Sequence, residues 1–254
     1  MKKRLISWNV NGIRAATKAG LPDWLRTEVP SILCLQETKA HPEQVPEEMA
    51  SLPCHQYYSR PGRKGYSGVG LITRDEPVRV TYDFHPSFDD EGRLIQAEYP
   101  EFTLLNVYFP NGKASPERLQ YKMEFYAAFQ EHCAKLRAGG QRLVVCGDVN
   151  TAHRELDLAR PKENESVSGF LPEERAWMDR FFSDGYLDTF RLFHADGGHY
   201  SWWSVRTKAR ERNVGWRIDY FIVSADLRSH VVGAGIMPEV MGSDHCPVFV
   251  DMDL

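Results

Sequence analysis

Short apolar runs rich in β-branched residues recur along the whole chain, and they restrict the possible folds more than any other feature of the sequence. Each run has the length of a single strand and is bounded by turn-forming or charged residues. The pattern predicts strands at Arg4–Trp8, Ile32–Leu35, Val69–Thr73, Val78–Asp83, Thr103–Tyr108, Leu143–Cys146, Tyr220–Val223 and Pro247–Met252.

Three segments between these runs have the apolar spacing of amphipathic helices. The longest starts at Ser115-Pro116 and stops at Gly139, because serine and proline favour a helix start and glycine favours its end. Another begins at Pro172 and ends before Gly185. The apolar positions are Leu21, Trp24, Leu25 and Val29 in the first helix, Leu119, Met123, Tyr126, Phe129 and Cys133 in the second, and Trp177 and Phe181 in the third. Because some strands follow each other directly, we predict a four-layer α/β sandwich, with two packed mixed β-sheets flanked by helices.

The length and composition suit one domain over residues 1–254. A chain of 254 residues with 42% apolar content can bury a sizeable core, and no Gly/Ser linker or repeat divides it. The first apolar stretch stops at Asn9, too early for a signal-peptide core or a membrane span. We therefore expect a cytoplasmic protein, nucleoid-associated if prokaryotic, with no membrane contact.

Cysteine usage argues against two kinds of protein, and the net charge limits how the chain could bind DNA. The five cysteines form no C-x-x-C pair and leave one over, which argues against a disulfide framework and a zinc site and favours reduced thiols near strands. The net charge of −4 is unlike that of many nucleic-acid binders. Any contact with DNA must therefore come from a local basic patch.

Polar side chains cluster at six of the predicted strand ends, where they can converge on one crevice. Their oxygen donors suit magnesium or manganese and not zinc or copper. Each residue also has a plainer explanation, because Asn-Gly pairs form ordinary turns and an aspartate can cap a loop. The candidates are the carboxylates Glu37, Asp148, Asp219 and Asp244, the amides Asn9, Asn11, Asn111 and Asn150, and the imidazole of His245.

Six segments resemble the signature blocks of the exonuclease III family of abasic-site endonucleases: SWNVNG, LCLQETK, YFPNG, CGDVNTAH, NVGWRIDYF and GSDHCP. They occur in the family's order and cover essentially the whole chain. The resemblance implies the DNase I-like sandwich of a superfamily that also contains nonspecific DNases, inositol phosphate phosphatases and sphingomyelinases. It further implies Mg²⁺-dependent hydrolysis of duplex DNA 5′ to abasic sites in base excision repair, with 3′→5′ exonuclease or 3′-end-trimming activity. We expect Mn²⁺ to substitute for Mg²⁺.

The resemblance also assigns roles to the polar residues. Glu37 is implied as the principal metal ligand, with Asn9, Asn11 and Asp244 close to the metal and its waters. The implied metal set also includes Asp148, Asn150 and His245. Phosphodiester hydrolysis needs an in-line water, a base beside it, and donors where charge builds on oxygen. The implied residues are Asp148 and Asn150 for the water, the hydrogen-bonded pair Asp219 and His245 at the scissile phosphate, and Tyr108 and Asn111 as phosphate contacts.

Residues 200–217 combine cations with tryptophans, which is typical of a surface that follows phosphates beside a stacking pocket. A solvated loop would explain any one of these charges equally well. In the family, positions matching Trp202, Trp216 and Ile218 wall the pocket for the flipped abasic sugar. The predicted DNA contacts are Arg206, Lys208, Arg210 and Arg212, with Arg217 and Trp203 in the same segment, Arg14 and Lys18 near the amino terminus, and Arg60, Arg63 and Lys64 as weaker candidates.

Three positions depart from the family pattern. Val167 stands where other members often carry an asparagine near the phosphate, and Arg206 where some carry a methionine that wedges the duplex. Asn11 replaces an aspartate of part of the family, which alters metal affinity without removing the site.

Two other functions fit parts of the sequence. One is a superfamily relative acting on a phospholipid or inositol phosphate, and YFPNG with the tryptophan-rich NVGWRIDYF block favours DNA instead. The other is a silent DNA-binding module, which would have no need of the full carboxylate, amide and histidine set. We expect a monomer that acts on double-stranded DNA with abasic sites or blocked 3′ ends. The sequence does not set the ratio of the two nuclease activities or the number of metals.

Overall fold

The computed structural model describes residues 2–254, which form two six-stranded sheets and a two-stranded hairpin. The strands are β1 (Lys2–Asn9), β2 (Ile32–Gln36), β3 (His55–Tyr58), β4 (Val69–Thr73), β5 (Arg79–Thr81), β6 (Leu94–Glu98), β7 (Thr103–Tyr108), β8 (Leu143–Asp148), β9 (Tyr186–Asp188), β10 (Trp202–Trp203), β11 (Gly215–Trp216), β12 (Asp219–Ser224), β13 (Val231–Ile236) and β14 (Val248–Asp253). The α-helices are α1 (Ile13–Lys18), α2 (Leu21–Glu28), α3 (Glu47–Ala50), α4 (Pro116–Ala138), α5 (Pro161–Asn164) and α6 (Pro172–Ser183).

Both large sheets are mixed. The first has the order β13-β14-β1-β2-β4-β3 and the second β5-β6-β7-β8-β12-β9. Within the described chain, β1 with β2 and β7 with β8 are the parallel pairs, and the other pairs in these sheets are antiparallel. The parallel pairs lie in the middle of each sheet, so their carboxyl ends meet at one edge of the molecule.

Three apolar clusters hold the layers together. The largest lies between the sheets and includes Leu5 and Val250 of the first sheet with Leu104 of the second. A second packs the outer face of the second sheet against α4 and α6, around Phe129. A third packs the outer face of the first sheet against α1 and α2, around Leu25. This is the predicted four-layer α/β sandwich.

All eight predicted strands and all three predicted helices are present, with ends that differ by a few residues. The apolar face of α2 is wrong at one position: Val29 lies beyond the helix, has a left-handed φ of 51°, and leaves half of its surface exposed. The structure adds strands β3, β6, β9, β10, β11 and β13 to the predicted set. Among residues 2–254, no helix has the length and apolar character needed to cross a membrane.

Candidate active site

Three candidate catalytic residues lie side by side across the second sheet. Tyr108 at the end of β7 pairs in register with Asp148 at the end of β8, which pairs with Asp219 at the start of β12. The sequence placed Asp148 and Asp219 just outside their strands, but both belong to the ladder. The conformation of Gly147 permits this, because its φ is +137° and a Cβ there would lie 1.8 Å from the carbonyl oxygen of Val107.

The first sheet brings its own polar residues to the same edge. Asn9 at the end of β1 pairs with Gln36 of β2, and Glu37 follows directly. The side-chain amide of Asn9 donates to Asp148 Oδ2 over 2.9 Å, which joins the two sheets at the site. Asn11 and Glu37 have left-handed φ values of 47° and 52°. Non-glycine residues adopt this conformation at a cost, and such strain concentrates at functional sites.

His245 is held between two buried aspartates. Its Nδ1 lies 2.8 Å from Asp219 Oδ2, and its Nε2 lies 3.9 Å from Asp148 Oδ2. Burial alone would lower the pKa of His245, but the charge and hydrogen bond of Asp219, with the charges of Asp148 and Asp244, raise it to about 10. The imidazolium therefore directs one N–H at Asp219 and the other toward the pocket beside Asp148.

Both oxygens of Asp148 accept hydrogen bonds. Its Oδ1 accepts from the backbone N–H of Asn150 over 2.8 Å, and its Oδ2 accepts from the side chains of Asn9 and Asn150. Burial raises the pKa of Asp148, the charge of His245 opposes that shift, and the charge of Asp219 adds to it. A carboxylate with a raised pKa is suited to accept a proton from a water molecule.

The donor set fits a hard divalent cation. One potential ligand atom each from Asp148, Asp219 and His245 lies within 4.8 Å of the others, although His245 offers its nitrogen to a cation only when it has lost the imidazolium proton. Asp219 Oδ1 is buried without a hydrogen-bond partner among residues 2–254. Glu37 and Asp244 line the same pocket. Carboxylate oxygens in this number are the ligands that Mg²⁺ and Mn²⁺ prefer. The tightest group thus includes Asp219, which the sequence assigned only as the partner of His245.

The ligands predicted nearest the metal are linked to one another. Asn11 donates to Asp244 Oδ1 over 2.9 Å and accepts from Lys39, whose Nζ lies 3.6 Å from Glu37 Oε1. Trp202 Nε1 donates to the other oxygen of Asp244 over 3.0 Å. Lys39 was part of the LCLQETK segment but was not predicted as a site residue.

The two predicted phosphate contacts lie beside Asp148. Asn111 donates through its side chain to Asn150 Oδ1 over 2.9 Å, and Asn150 donates to the carbonyl oxygen of Phe109. Burial, followed by the charge of Glu37, raises the pKa of Tyr108 well above its ordinary value. Tyr108 therefore keeps its hydroxyl proton and remains a donor.

Trp202, Trp216 and Ile218 form one side of the pocket. Trp202 of β10 pairs with Trp216 of β11, and the two ring centres lie 6.4 Å apart in an edge-to-face arrangement. Phe170 and Leu158 pack behind them in a small apolar cluster. The aromatic side thus has a core of its own, separate from the clusters between the layers.

The pocket encloses about 220 Å³ and brings together most of the predicted site residues. Asn9 and Asp219 are buried and Asn11 is exposed; none of the three lines the pocket, but each is hydrogen-bonded to a lining residue. The lining residues are Glu37, Tyr108, Asn111, Lys113, Asp148, Asn150, Ser168, Gly169, Trp202, Trp216, Ile218, Asp244 and His245. The sequence missed Lys113, although it directly follows the YFPNG segment, and it missed Ser168 and Gly169 beside Val167.

A fully buried ion pair is hydrogen-bonded to residues that line the pocket. Lys122 Nζ lies 2.6 Å from Glu174 Oε1 and also donates to the carbonyl oxygen of Asn150 over 2.8 Å. Glu174 accepts from the hydroxyl of Ser168 and from the backbone N–H of Gly169. One pair of charges therefore positions residues on both sides of the pocket. The sequence gave no signal for it, because Lys122 lies in a helix whose other polar residues are mostly solvated.

The predicted DNA contacts differ in their freedom to bind. Arg206, Lys208 and Arg212 are exposed on 3-10 turns, and Arg14 and Lys18 are exposed on α1. Arg63 and Lys64 are also exposed, whereas both terminal nitrogens of the Arg60 guanidinium donate to Glu43.

Several members of the basic segment make contacts within the protein, and the exposed Arg212 also donates to the carbonyl oxygen of Thr207 over 3.0 Å. The guanidinium of Arg210 stacks on Trp203 and donates to the carbonyl oxygens of Pro238, Val240 and Ser243. Trp203 is 2% exposed and is a core residue, not a surface for stacking DNA bases.

Arg217, which belongs to the same basic segment, is not on the surface. Its side chain is 1% exposed and pairs with Asp157 over 2.8 Å and with Asp188 over 2.7 Å. Charge in a sequence segment predicts a surface patch only when no buried partner lies elsewhere in the chain.

Comparison with known proteins gives one consistent result. The profile of the endonuclease/exonuclease/phosphatase family matches residues 6–245. An exodeoxyribonuclease of Bacillus subtilis is 42% identical over 96% of this chain and 97% of its own length. The DNA repair nuclease APEX1 of Danio rerio is 40% identical over 96% of this chain and 80% of its own length.

Solved structures agree with the sequence comparisons. An AP endonuclease from Archaeoglobus fulgidus matches with a TM-score of 0.91 and 28% identity, covering 99% of this chain and 100% of that one. A variant of the 3′ phosphatase NExo from Neisseria, bound to a product DNA hairpin, matches with a TM-score of 0.89 and 28% identity, covering 99% of this chain and 100% of that one.

Proposed function

This chain belongs to the endonuclease/exonuclease/phosphatase family, of the exonuclease III type, and from that membership we propose that it is a DNA-repair nuclease. It hydrolyses the phosphodiester bond 5′ to abasic sites in duplex DNA, with 3′→5′ exonuclease and 3′-end-trimming activity, in base excision repair. The observation that carries the proposal is the row of Tyr108, Asp148 and Asp219 with His245, directly beside a tryptophan-walled pocket.

The reaction divides among these residues by their chemistry. Asp148 and Asn150 hold the attacking water, and the raised pKa of Asp148 suits it to take the water's proton. Tyr108, Asn111 and protonated His245 donate to phosphate oxygens where charge builds. Asp219 fixes the ring orientation of His245 and keeps it charged.

We propose Mg²⁺ as the cofactor, with Mn²⁺ as a substitute. Glu37 is the principal ligand in this proposal, Asn9, Asn11 and Asp244 lie close to it, and Asp148, Asn150 and His245 complete the surrounding polar set. When bound, the cation neutralises charge on the scissile phosphate and the leaving oxygen. The buried and unpartnered oxygen of Asp219 supports the presence of a further positive group.

The substrate side of the proposal rests on exposed cations and on the pocket. The DNA backbone is contacted by Arg14, Lys18, Arg206, Lys208 and Arg212, with Arg210 as a further candidate, and the flipped sugar is received by Trp202, Trp216 and Ile218.

We further propose that residues 1–254 form one domain, since the largest core cluster contains residues of both sheets. A monomer in the cytoplasm is proposed on the family resemblance.

A nicking assay tests the function directly. Duplexes that contain one tetrahydrofuran abasic analogue are incubated with the protein, with and without Mg²⁺, beside an undamaged duplex, an inositol phosphate and a sphingomyelin. We expect a nick 5′ to the analogue that EDTA abolishes. Cleavage of the lipid or the inositol phosphate in its place contradicts the proposal, and DNA binding without a nick indicates a silent module.

A further inference from the structure

Lys113 lies in the catalytic pocket, and neither the sequence motifs nor the proposed mechanism accounts for it. Its Nζ is 5.3 Å from the ring centre of Trp202 and 5.0 Å from that of Trp216. Its backbone N–H donates to Asn111 Oδ1 over 2.9 Å. The backbone of Lys113 is thus held at the phosphate contact Asn111, and its ammonium lies against the two tryptophans of the sugar pocket.

The charges around Lys113 make its position unusual. Glu37, Asp148 and Asp244 line the same pocket, and among its described lining residues Lys113 is the only lysine or arginine. Within residues 2–254 its Nζ has no hydrogen-bond or ion-pair partner; the two aromatic faces are its close contacts. A cation held on aromatic faces stays available to an incoming anion, because the rings attract the charge without occupying its donors.

Lys113 also lies where the catalytic pocket meets a second cavity. This cavity of about 840 Å³ shares Tyr108, Asn111 and Lys113 with the catalytic pocket. A DNA strand that enters the pocket with its flipped nucleotide therefore passes the ammonium as well as the catalytic row.

We propose that Lys113 binds the phosphate of the nucleotide in the pocket and determines specificity, favouring a terminal 3′-phosphate over an internal phosphodiester. The inference rests on the proposed function and adds a specificity residue to it. In 3′-phosphate removal, the water oxygen bonds to phosphorus, the bond from phosphorus to O3′ breaks, and O3′ takes a proton. The products are a 3′-hydroxyl end and inorganic phosphate.

The preference follows from charge. A phosphate monoester carries about 1.5 to 2 negative charges at neutral pH, whereas an internal diester carries one. Attraction to a fixed cation grows in proportion to the charge of the ligand, and so does repulsion from the surrounding carboxylates. Removing the ammonium should therefore harm the binding of the terminal phosphate more than that of the diester.

Lys113→Met and Lys113→Arg separate charge from packing. Methionine keeps an unbranched apolar side chain against the tryptophans and removes the charge, whereas arginine keeps the charge. Lys135→Met is the matched control, because Lys135 lies in the last turn of α4 and pairs only with Glu131 on the exposed surface. The two substrates share one sequence, and carry either an internal tetrahydrofuran or a nick with a 3′-phosphate.

We expect Lys113→Met to lower kcat/KM for 3′-phosphate removal about tenfold more than for abasic cleavage. Lys113→Arg and Lys135→Met should leave the ratio of the two activities unchanged. Equal losses on both substrates, or a wild type that does not remove 3′-phosphates, would overturn the proposal. If Lys113→Met is less stable to heat than the wild type, the same comparison with Lys113→Gln decides.

A binding measurement in EDTA keeps this test separate from the proposed function. Fluorescence anisotropy compares nicked duplexes that end in a 3′-phosphate or a 3′-hydroxyl. We expect the wild type, but not Lys113→Met, to bind the 3′-phosphate duplex more tightly. A wild type that shows this preference but never nicks DNA contradicts the proposed function alone, whereas an active wild type with no preference contradicts the role of Lys113.

Discussion

The two walls of the catalytic pocket are held in place by different kinds of structure. Most of the polar wall lies at strand ends of the two large sheets, where backbone ladders hold Tyr108, Asp148 and Asp219 in register. Glu37 directly follows β2, and His245 pairs with Trp202 through a single β-bridge. The aromatic wall depends on a hairpin of two residues per strand and on a small apolar cluster. The polar wall consists of Glu37, Tyr108, Asp148 and His245, with Asp219 behind His245, and the aromatic wall consists of Trp202, Trp216 and Ile218.

This difference separates the residues that carry out the reaction from the residues that select the nucleotide. Replacing a polar-wall side chain removes a charge or donor but leaves the ladder intact, so the rate should fall while the shape of the pocket stays the same. Replacing an aromatic-wall residue changes the space itself, so the choice of nucleotide should change. The buried pair of Lys122 and Glu174 contacts a pocket residue beside each wall, Asn150 and Gly169, so its loss should affect the rate and the choice of nucleotide together.

Breaking that pair should have the largest effect. Lys122→Met leaves the carboxylate of Glu174 buried without its cation, and removing one partner of a buried pair costs about 3–5 kcal/mol. Denaturant unfolding measures the change, and Lys135→Met in the same helix should leave the free energy of unfolding unchanged. Equal stability of the two variants would mean that Lys122 does not hold the two walls together.

The polar wall is tested by His245→Ala and Asp219→Ala. Each should slow single-turnover abasic cleavage by about 10²-fold or more, because a positioned donor or its orienting charge is lost. The double variant should be scarcely slower than the worse single variant, since the two residues act as one unit. His230→Ala, at a half-buried histidine outside the pocket, is the control. Losses that multiply in the double variant would show that the residues act independently.

The polar wall could be predicted from the sequence, and the aromatic side only in part. Asp148 and Asn150 lie two residues apart in one motif, and parallel central strands bring such motifs to one edge of a layered fold. The tryptophans among residues 200–217 indicated a stacking surface, but the assignment of Trp202 and Trp216 to the sugar pocket came only from the family resemblance. Lys113 was missed because a lysine after a turn has no distinguishing pattern in the sequence.

Long-range pairing explains the remaining errors. Lys122 and Glu174 are 52 residues apart, and Arg217 and Asp157 are 60 apart, so no local pattern shows that these charges are buried together. Several of the missed strands are short, as in β10 and β11, or interrupted by glycine, as in β13, whereas β6 has five residues and no glycine. Their identity depends on the strand beside them, which local spacing does not specify.

The aromatic wall is tested by Trp216→Ala, with Trp203→Ala as the control. Trimming Trp216 should loosen the abasic sugar and make room for a base, so cleavage at an intact nucleotide relative to an abasic one should rise about tenfold. Trp203 is buried outside the pocket, so its loss should lower thermal stability and both activities in proportion. A ratio in folded Trp216→Ala equal to that of the wild type would refute the steric account.

The metal side of the polar wall is tested by Glu37→Gln. The amide keeps the shape of the side chain but replaces an anionic oxygen with a weaker neutral donor. The Mg²⁺ concentration for half-maximal cleavage should rise several-fold, while the thermal stability in EDTA should not fall. An unchanged half-saturation point would exclude Glu37 as the principal ligand.

The smallest effects are expected outside both walls, at two arginines that look alike in the sequence. Arg206 is exposed and its side chain has no hydrogen-bond partner within residues 2–254, whereas Arg210 donates to three backbone carbonyls. Arg206→Ala should weaken binding to every DNA sequence and reduce the slope of log affinity against log salt by about one, because one fewer counterion is released. Arg210→Ala should instead lower the melting temperature, because it leaves carbonyl groups beside Asp244 without donors. Affinities at four salt concentrations and melting curves decide between the two roles.

If neither variant changes the slope, the DNA backbone follows another face of the protein, and the loop of Arg63 and Lys64 becomes the candidate. If Arg210→Ala flattens the slope at an unchanged melting temperature, Arg210 leaves its carbonyl partners to bind a DNA phosphate when DNA is present, and the sequence prediction for Arg210 stands.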